Sequence, residues 1–171
     1  MTIFTKPKRS PVPKVSKHMH EQLDGYAPDW TPYAHQQPPD GDWRVWILRG
    51  GRGSGKTEGG ARYVLDHLRR FGARARAGVG APTIQGAREV CAEGDSGLIT
   101  IAPSEFTWNR SMLEARHKDG GYVKFMGAEE PARWNGPQWT LLWADELALW
   151  RRETYDQATF GVRLGDTPRI I

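Results

Sequence analysis

Gly50-Gly51-Arg52-Gly53-Ser54-Gly55-Lys56-Thr57 decides the fold, because of what stands on either side of it. Before it, the segment from Trp43 to Leu48 is apolar except for Arg44 and runs straight into glycines, which predicts a buried parallel strand. After it, Ala61, Val64, Leu65 and Leu68 recur at helical spacing, with Arg62, Asp66, Arg69 and Arg70 on the outer face and Gly72 at the end. A strand, a turn satisfying GxxxxGK[ST] and an amphipathic helix form a nest of inward-facing N–H groups at a helix N-terminus, which is a cradle for phosphate. Gly50, Gly51, Gly53 and Gly55 let the backbone make that turn, and Ser54 completes it. Lys56 is placed to reach the β- and γ-phosphates of ATP, and the Thr57 hydroxyl to ligate Mg²⁺. Arg52, inside the loop, is placed for the γ-phosphate or a neighbouring acidic side chain.

Such a loop needs a carboxylate from a neighbouring strand. Trp139 to Ala144 is apolar except for Thr140 and is followed at once by Asp145 and Glu146. At the carboxyl end of a buried strand, where open α/β sheets bind ligands, Asp145 is expected to hold Mg²⁺ through water, and Glu146 to orient the attacking water. An acidic pair after a strand also serves as a helix cap. Its place downstream of the phosphate loop favours the chemical role. The expected fold is α/β: a P-loop NTPase of the RecA-like (ASCE) type, with a mainly parallel central sheet flanked by helices.

Working outward, a second strand is expected from Arg74 to Ala81, then a short helix through Arg88 and Val90 and another from Ser96 to Ile101. A polar loop runs on to Asn109. Ser111 to Arg116 and Tyr122 to Phe125, joined by His117-Lys118-Asp119-Gly120-Gly121, predict a small β-hairpin. A helix is expected from Arg151 to Phe160, and Arg169-Ile170-Ile171 reads as a strand just beginning, so the domain is expected to be incomplete at its C-terminus. Residues 1–24, rich in Pro, Lys and Ser, read as a basic arm without regular structure. Residues 25–42 read as a lead-in segment pinned by Tyr26, Trp30 and Tyr33 among prolines, and residues 43–171 as the ATPase domain.

The 171 residues suit one domain; a mean hydropathy of -0.65 is low, but eight Trp and five Phe supply apolar bulk for a core. Net charge is +4, and Lys6, Lys8, Arg9, Lys14 and Lys17 all precede the first acidic residue, Glu21, an excess that suits a polyanionic partner. The single cysteine, Cys91, excludes an intrachain disulfide framework. With no apolar run of the roughly 18 residues needed for a membrane span and no apolar leader, a soluble cytoplasmic protein is expected.

Two further stretches narrow the class. Arg133-Trp134-Asn135-Gly136-Pro137-Gln138-Trp139 and Trp143-Ala144-Asp145-Glu146-Leu147-Ala148-Leu149-Trp150, taken with the phosphate loop, resemble the large terminase subunit of tailed bacteriophages. The resemblance implies a DNA-packaging motor that hydrolyses ATP to drive double-stranded DNA into a procapsid in the host cytoplasm. It also implies the small terminase subunit and the portal as partners, a ring of like subunits, and no membrane. Gln36 resembles the family's adenine-recognising glutamine upstream of the loop. Asn135 stands where many relatives carry an arginine that completes a neighbouring subunit's site; Arg133, two residues earlier, is the alternative cation, although a surface salt bridge is its more ordinary use. The resemblance further implies that the chain stops before the coupling motif and the nuclease domain, so weak ATPase activity and no DNA cleavage are expected of it alone. A helicase-like translocase would use the same loop and acidic pair. A third reading is a non-catalytic module binding DNA or the small subunit through the basic arm.

Overall fold

The computed structural model describes residues 30–171, so the basic arm and the first five residues of the lead-in segment lie outside the described residues. Helix α1, Lys56–Phe71, buries Ala61, Val64, Leu65 and Leu68, the stripe its periodicity marks, and closes on Gly72. Helix α2 (Ile84–Gly86) runs on into a π-helical turn (Ala87–Ala92). Helices α3 (Leu98–Ile101) and α4 (Arg152–Phe160) complete the set. None of the described helices is long and apolar enough to cross a membrane.

Six strands form one sheet: β1 (Arg76–Ala81), β2 (Phe106–Asn109), β3 (Glu114–His117), β4 (Tyr122–Gly127), β5 (Leu141–Ala144) and β6 (Arg169–Ile170), in the order β2-β3-β4-β1-β5-β6. β1 pairs in parallel with β4 and β5, and β5 with β6, whereas β2–β3 and β3–β4 are antiparallel. The expected hairpin is β3–β4, and it is built into the main sheet. The polar loop expected before Asn109 is instead strand β2: Phe106 and Trp108 face the core while Thr107 and Asn109 face out, an alternation too short to stand out in sequence.

The segment expected as a buried strand before the phosphate loop is corrected. Residues 43–48 are extended along the outer edge of β6, with one parallel bridge, Val45 to Ile170. Trp46 N donates to Ile170 O at 2.9 Å, and Ile170 N donates to Arg44 O at 2.9 Å. Trp46 is buried against Tyr63 of α1, but Val45 is 48% and Ile47 70% exposed. Hydrophobicity signalled the strand, but burial on both faces needs a layer packed over each: Trp46 lies against Tyr63 of α1, whereas the alternate face, with Val45 and Ile47, is left exposed.

Glycines placed against tryptophans hold the layers together. Gly59 and Gly60 sit inside α1, where each costs roughly 1 kcal/mol relative to Ala in helix propensity. At Gly60 the reason is contact: a Cβ there would lie 2.4 Å from Trp143 Cε2, so the bare backbone lets β5 press its ring onto α1. On the other face of the sheet, Gly78 and Gly80 of β1 play the same part for Trp139 and Trp150, whose rings would lie 2.9 and 2.3 Å from an added Cβ. That second layer, with Trp134, Leu142 and Ala158 of α4, is the smaller of two cores. The larger lies under α1, around Ala77, Val79, Val123, Phe125 and Leu141.

A buried polar knot ties α1 to the start of β5. Thr140 Oγ1 donates to Arg76 O (3.0 Å) and accepts from Arg76 N (2.9 Å), so the 2.7 Å contact with His67 uses the imidazole Nε2–H as donor. Burial, with Arg169 and Arg70 adding to it, pushes the His67 pKa down to about 4. Because the folded value lies below the unfolded value of about 6.5, the unfolded chain gains a proton that the fold refuses, and stability falls as pH drops from about 6.5 to 4. The loss expected from this group is about 3 kcal/mol, from the size of the shift. Denaturant unfolding at pH 7 and pH 4 measures it as the difference between wild type and His67→Gln; equal pH losses in the two proteins would contradict it.

Candidate active site

The phosphate loop lies between the edge segment and α1 and turns through two left-handed glycines, Gly53 (φ 75°) and Gly55 (φ 77°), the latter capping α1. Gly50 leaves room for Ser54, because a Cβ there would sit 2.4 Å from Ser54 Oγ and 2.9 Å from its Cβ and would force that side chain to shift. Lys56 Nζ donates to Gly50 O (3.0 Å) and Gly51 O (3.2 Å), so the ammonium is held over the loop. Ser54 Oγ is buried without a hydrogen-bond partner among the described residues, an orphaned polar atom inside the loop.

A cavity of about 710 Å³ opens over this loop, lined by all its residues except Gly51, with Gln36, Tyr33, Ser96 and Glu146 on its walls. Arg52 is exposed at its rim. Thus the loop and the acidic pair, far apart in sequence, converge. Asp145 follows β5, its N–H donating to Gly80 O at 2.8 Å and its carbonyl accepting from Trp150 Nε1 at 3.0 Å. Burial, followed by the adjacent charge of Glu146, pushes the Asp145 carboxyl up to about 6, while Lys56 pulls it back. Half-buried and within electrostatic reach of Lys56 at the start of α1, the Asp145 carboxylate, with the Thr57 hydroxyl one residue beyond Lys56, supplies hard oxygen donors of the kind a small dication takes. The same neighbourhood, burial first and Asp145 second, raises the Cys91 thiol well above its ordinary value.

Glu146 adopts a left-handed backbone (φ 49°, ψ 43°), uncommon for a non-glycine residue and costing on the order of 1 kcal/mol. The side chain is exposed and lines the cavity. The residues after it fold into a 3-10 turn, Leu147–Leu149, which ends at the buried ring of Trp150.

Gln36 is 3% exposed and touches the loop directly. Its Nε2 donates to Gly55 O at 2.7 Å and its Oε1 accepts from Tyr33 N at 2.8 Å. A Cβ at Gly55 would lie 2.4 Å from that Nε2, so the loop glycine and the glutamine are fitted to each other. One lone pair and one N–H of the amide remain beyond these two bonds. Sequence reasoning identified the residue but missed this bracing; it also missed His35, whose Nε2 lies 2.7 Å from Ser54 O. The paired glycines at 59 and 60, costly in a helix, were the available signal, since Gly59 faces Gln36 and Gly60 faces Trp143. Arg133 forms an ion pair with Glu130 on the surface, in the short turn Pro131–Trp134 that leads to Asn135.

A mostly parallel α/β sheet with this loop, and an acidic pair at the end of β5, defines a P-loop nucleotide-binding domain. Residues 47–171 match the family described as the large terminase subunit of the T4-like virus type, N-terminal region, and the chain belongs to that family. The family decides between the two motor readings of the sequence, in favour of terminase. Among solved structures, the fold is similar to the large terminase from a thermophilic bacteriophage (TM-score 0.63, 18% identity, 91% of this chain and 37% of that one). The same phage protein solved in complex with ADP is similar over the same shares, with a TM-score of 0.61 and 19% identity. The Thermus phage P74-26 large terminase ATPase domain is also similar (TM-score 0.56, 17% identity, 91% of this chain and 68% of that one). The chain therefore spans about 37% of the length of the thermophilic phage terminase that it matches. No curated protein sequence matches it.

Proposed function

We propose that residues 43–171 are the ATP-hydrolysing part of a viral DNA-packaging terminase large subunit. The observation that carries this is the convergence of Lys56, Thr57 and Glu146 on one cavity, with Asp145 beside them at the end of β5. In this reading the backbone N–H groups from Gly50 to Thr57 receive the phosphates of ATP, and Lys56 leaves the Gly50 and Gly51 carbonyls to pair with them. Glu146 orients a water towards the γ-phosphate, and Lys56 with Arg52 stabilises the charge that develops there. Thr57 directly and Asp145 through water would hold Mg²⁺, which would supply positive charge to offset that of the phosphates. Gln36 keeps the loop in shape, and the amide capacity left to it suits an adenine edge.

In the whole protein this chemistry drives double-stranded DNA into a procapsid in the host cytoplasm. The portal and the small subunit are its partners, and like subunits form a ring. Titration calorimetry with ATP and Mg²⁺ tests the reading: one nucleotide is expected per chain, and Asp145→Asn should weaken Mg²⁺-dependent binding by about 10–100-fold. Binding that is indifferent to Mg²⁺, or unchanged in the variant, would overturn the metal assignment.

A further inference from the structure

The two faces of the sheet are covered unequally. Under α1 the residues of β1, β3 and β4 are buried and apolar: Ala77, Val79, Ala115, Val123 and Phe125. On the opposite face, the tryptophan layer and α4 cover β5, most of β1 and Met126 of β4, whereas β3 and the starts of β1 and β4 present polar side chains. Register puts Arg76 beside Tyr122, Arg116 beside Tyr122, and Glu114 beside Lys124, all on that face. They surround a cavity of about 430 Å³, whose wall also includes Gln138 and Trp139.

The chemistry of this cavity is one-sided. Three cations face one carboxylate, and Glu114 is taken by Lys124 at 2.6 Å. The guanidinium of Arg76 makes no hydrogen bond or ion pair among the described residues, and that of Arg116 lies over the Tyr122 ring, 5.5 Å from its centroid. Trp139, 2% exposed, has an indole N–H without a partner among the described residues. What is left over at the surface is chiefly donors: two guanidinium forks, beside the side-chain amide of Gln138, which both donates and accepts. Donors of that kind match a ligand that only accepts, and arginine forks match phosphate oxygens in particular.

We infer that this face is a contact for the phosphodiester backbone of duplex DNA, separate from the ATP site. Arg76 and Tyr122 open β1 and β4, whereas Asp145 follows the far end of β5, a separation of roughly 15–20 Å along the strands by ordinary strand rise. Among the described residues, the aromatic rings at the cavity are Tyr122, beneath Arg116, and the buried Trp139, so there is no platform on which to stack the bases of a single strand. Contact through phosphates alone is independent of sequence, which is what a strand-moving protein requires. The inference rests on the reading of the domain as part of a DNA motor.

Fluorescence anisotropy of a labelled duplex of about 30 base pairs, titrated with the full chain at several salt concentrations, tests it. Arg76→Ala with Arg116→Ala should weaken binding at least tenfold at low salt and flatten the slope of log affinity against log salt by about 1.8, since each phosphate contact contributes about 0.9. The matched control, Arg151→Ala with Arg163→Ala, removes the same charge from other exposed positions and should change affinity less than threefold. Arg76→Lys with Arg116→Lys should retain the slope and guards against a folding defect in the alanine pair. An equal loss in the control, an unchanged slope in the alanine pair, or no duplex binding by the wild type overturns the inference. So does displacement of the duplex by inorganic phosphate beyond that by chloride at equal ionic strength, which would mark a free-phosphate site. ATP titration of the same preparations reports on the nucleotide site independently: it should be unaltered in the alanine pair, and its failure in the wild type would indict the motor reading instead.

Discussion

Glu146→Gln leaves ATP bound and lowers the rate of its hydrolysis by about 10²–10⁴-fold, the range expected when a positioned general base is removed. The substitution keeps size and hydrogen-bonding reach, so the left-handed backbone at this position, the turn that follows it and the Trp150 anchor are all retained. In the proposed mechanism, what it removes is the charge that orients and deprotonates water. It also removes the neighbour that helps to hold the Asp145 carboxyl up to about 6, so Asp145 is ionised over a wider pH range in the variant and nucleotide affinity should not fall. Single-turnover hydrolysis beside equilibrium binding of ATP and Mg²⁺ separates the two quantities. Turnover equal to wild type would refute the assignment of Glu146, and a parallel collapse of binding would make it a structural residue.

Lys56→Ala is expected to reduce hydrolysis by at least about 10²–10³-fold and, unlike the glutamate change, to weaken ATP binding as well, because it removes a cation that meets the phosphates in both ground and transition states. Lys56 is also the clasp across Gly50 and Gly51, so a slackened loop would add to the loss. Lys56→Arg distinguishes the causes. It keeps a cation able to reach the two carbonyls but changes its shape, and should restore loop order and some binding with little turnover. A thermal melt shows whether the alanine variant is folded. ATP bound by Lys56→Ala as tightly as by wild type would remove the lysine from the phosphate site.

The site was more legible than the sheet. The loop, the helix from Lys56 to Phe71 and the acidic pair after β5 could be read because each is a local pattern whose meaning depends on neighbours a few residues away. The edge position of residues 43–48 could not be read: an apolar run announces a strand, but not how many strands flank it. Strand β2 was hidden for a related reason, since four residues of alternation are too few to distinguish from a loop until β3 is seen beside them.

Sequence alone determined that this chain has a GxxxxGK[ST] loop at the start of a helix and a carboxylate pair at the end of a strand, and that its tryptophan motifs resemble terminase. Those are properties of short segments, set by backbone freedom, periodicity and residue chemistry. Only the tertiary structure decided that Gln36 braces Gly55, that Trp143 rests on Gly60, and that Arg76, Arg116 and Lys124 meet on an open sheet face. Each of these depends on how the elements pack and in what order the strands lie, which brings Gln36 to Gly55 across 19 positions and Gly60 to Trp143 across 83, and no local pattern encodes that order.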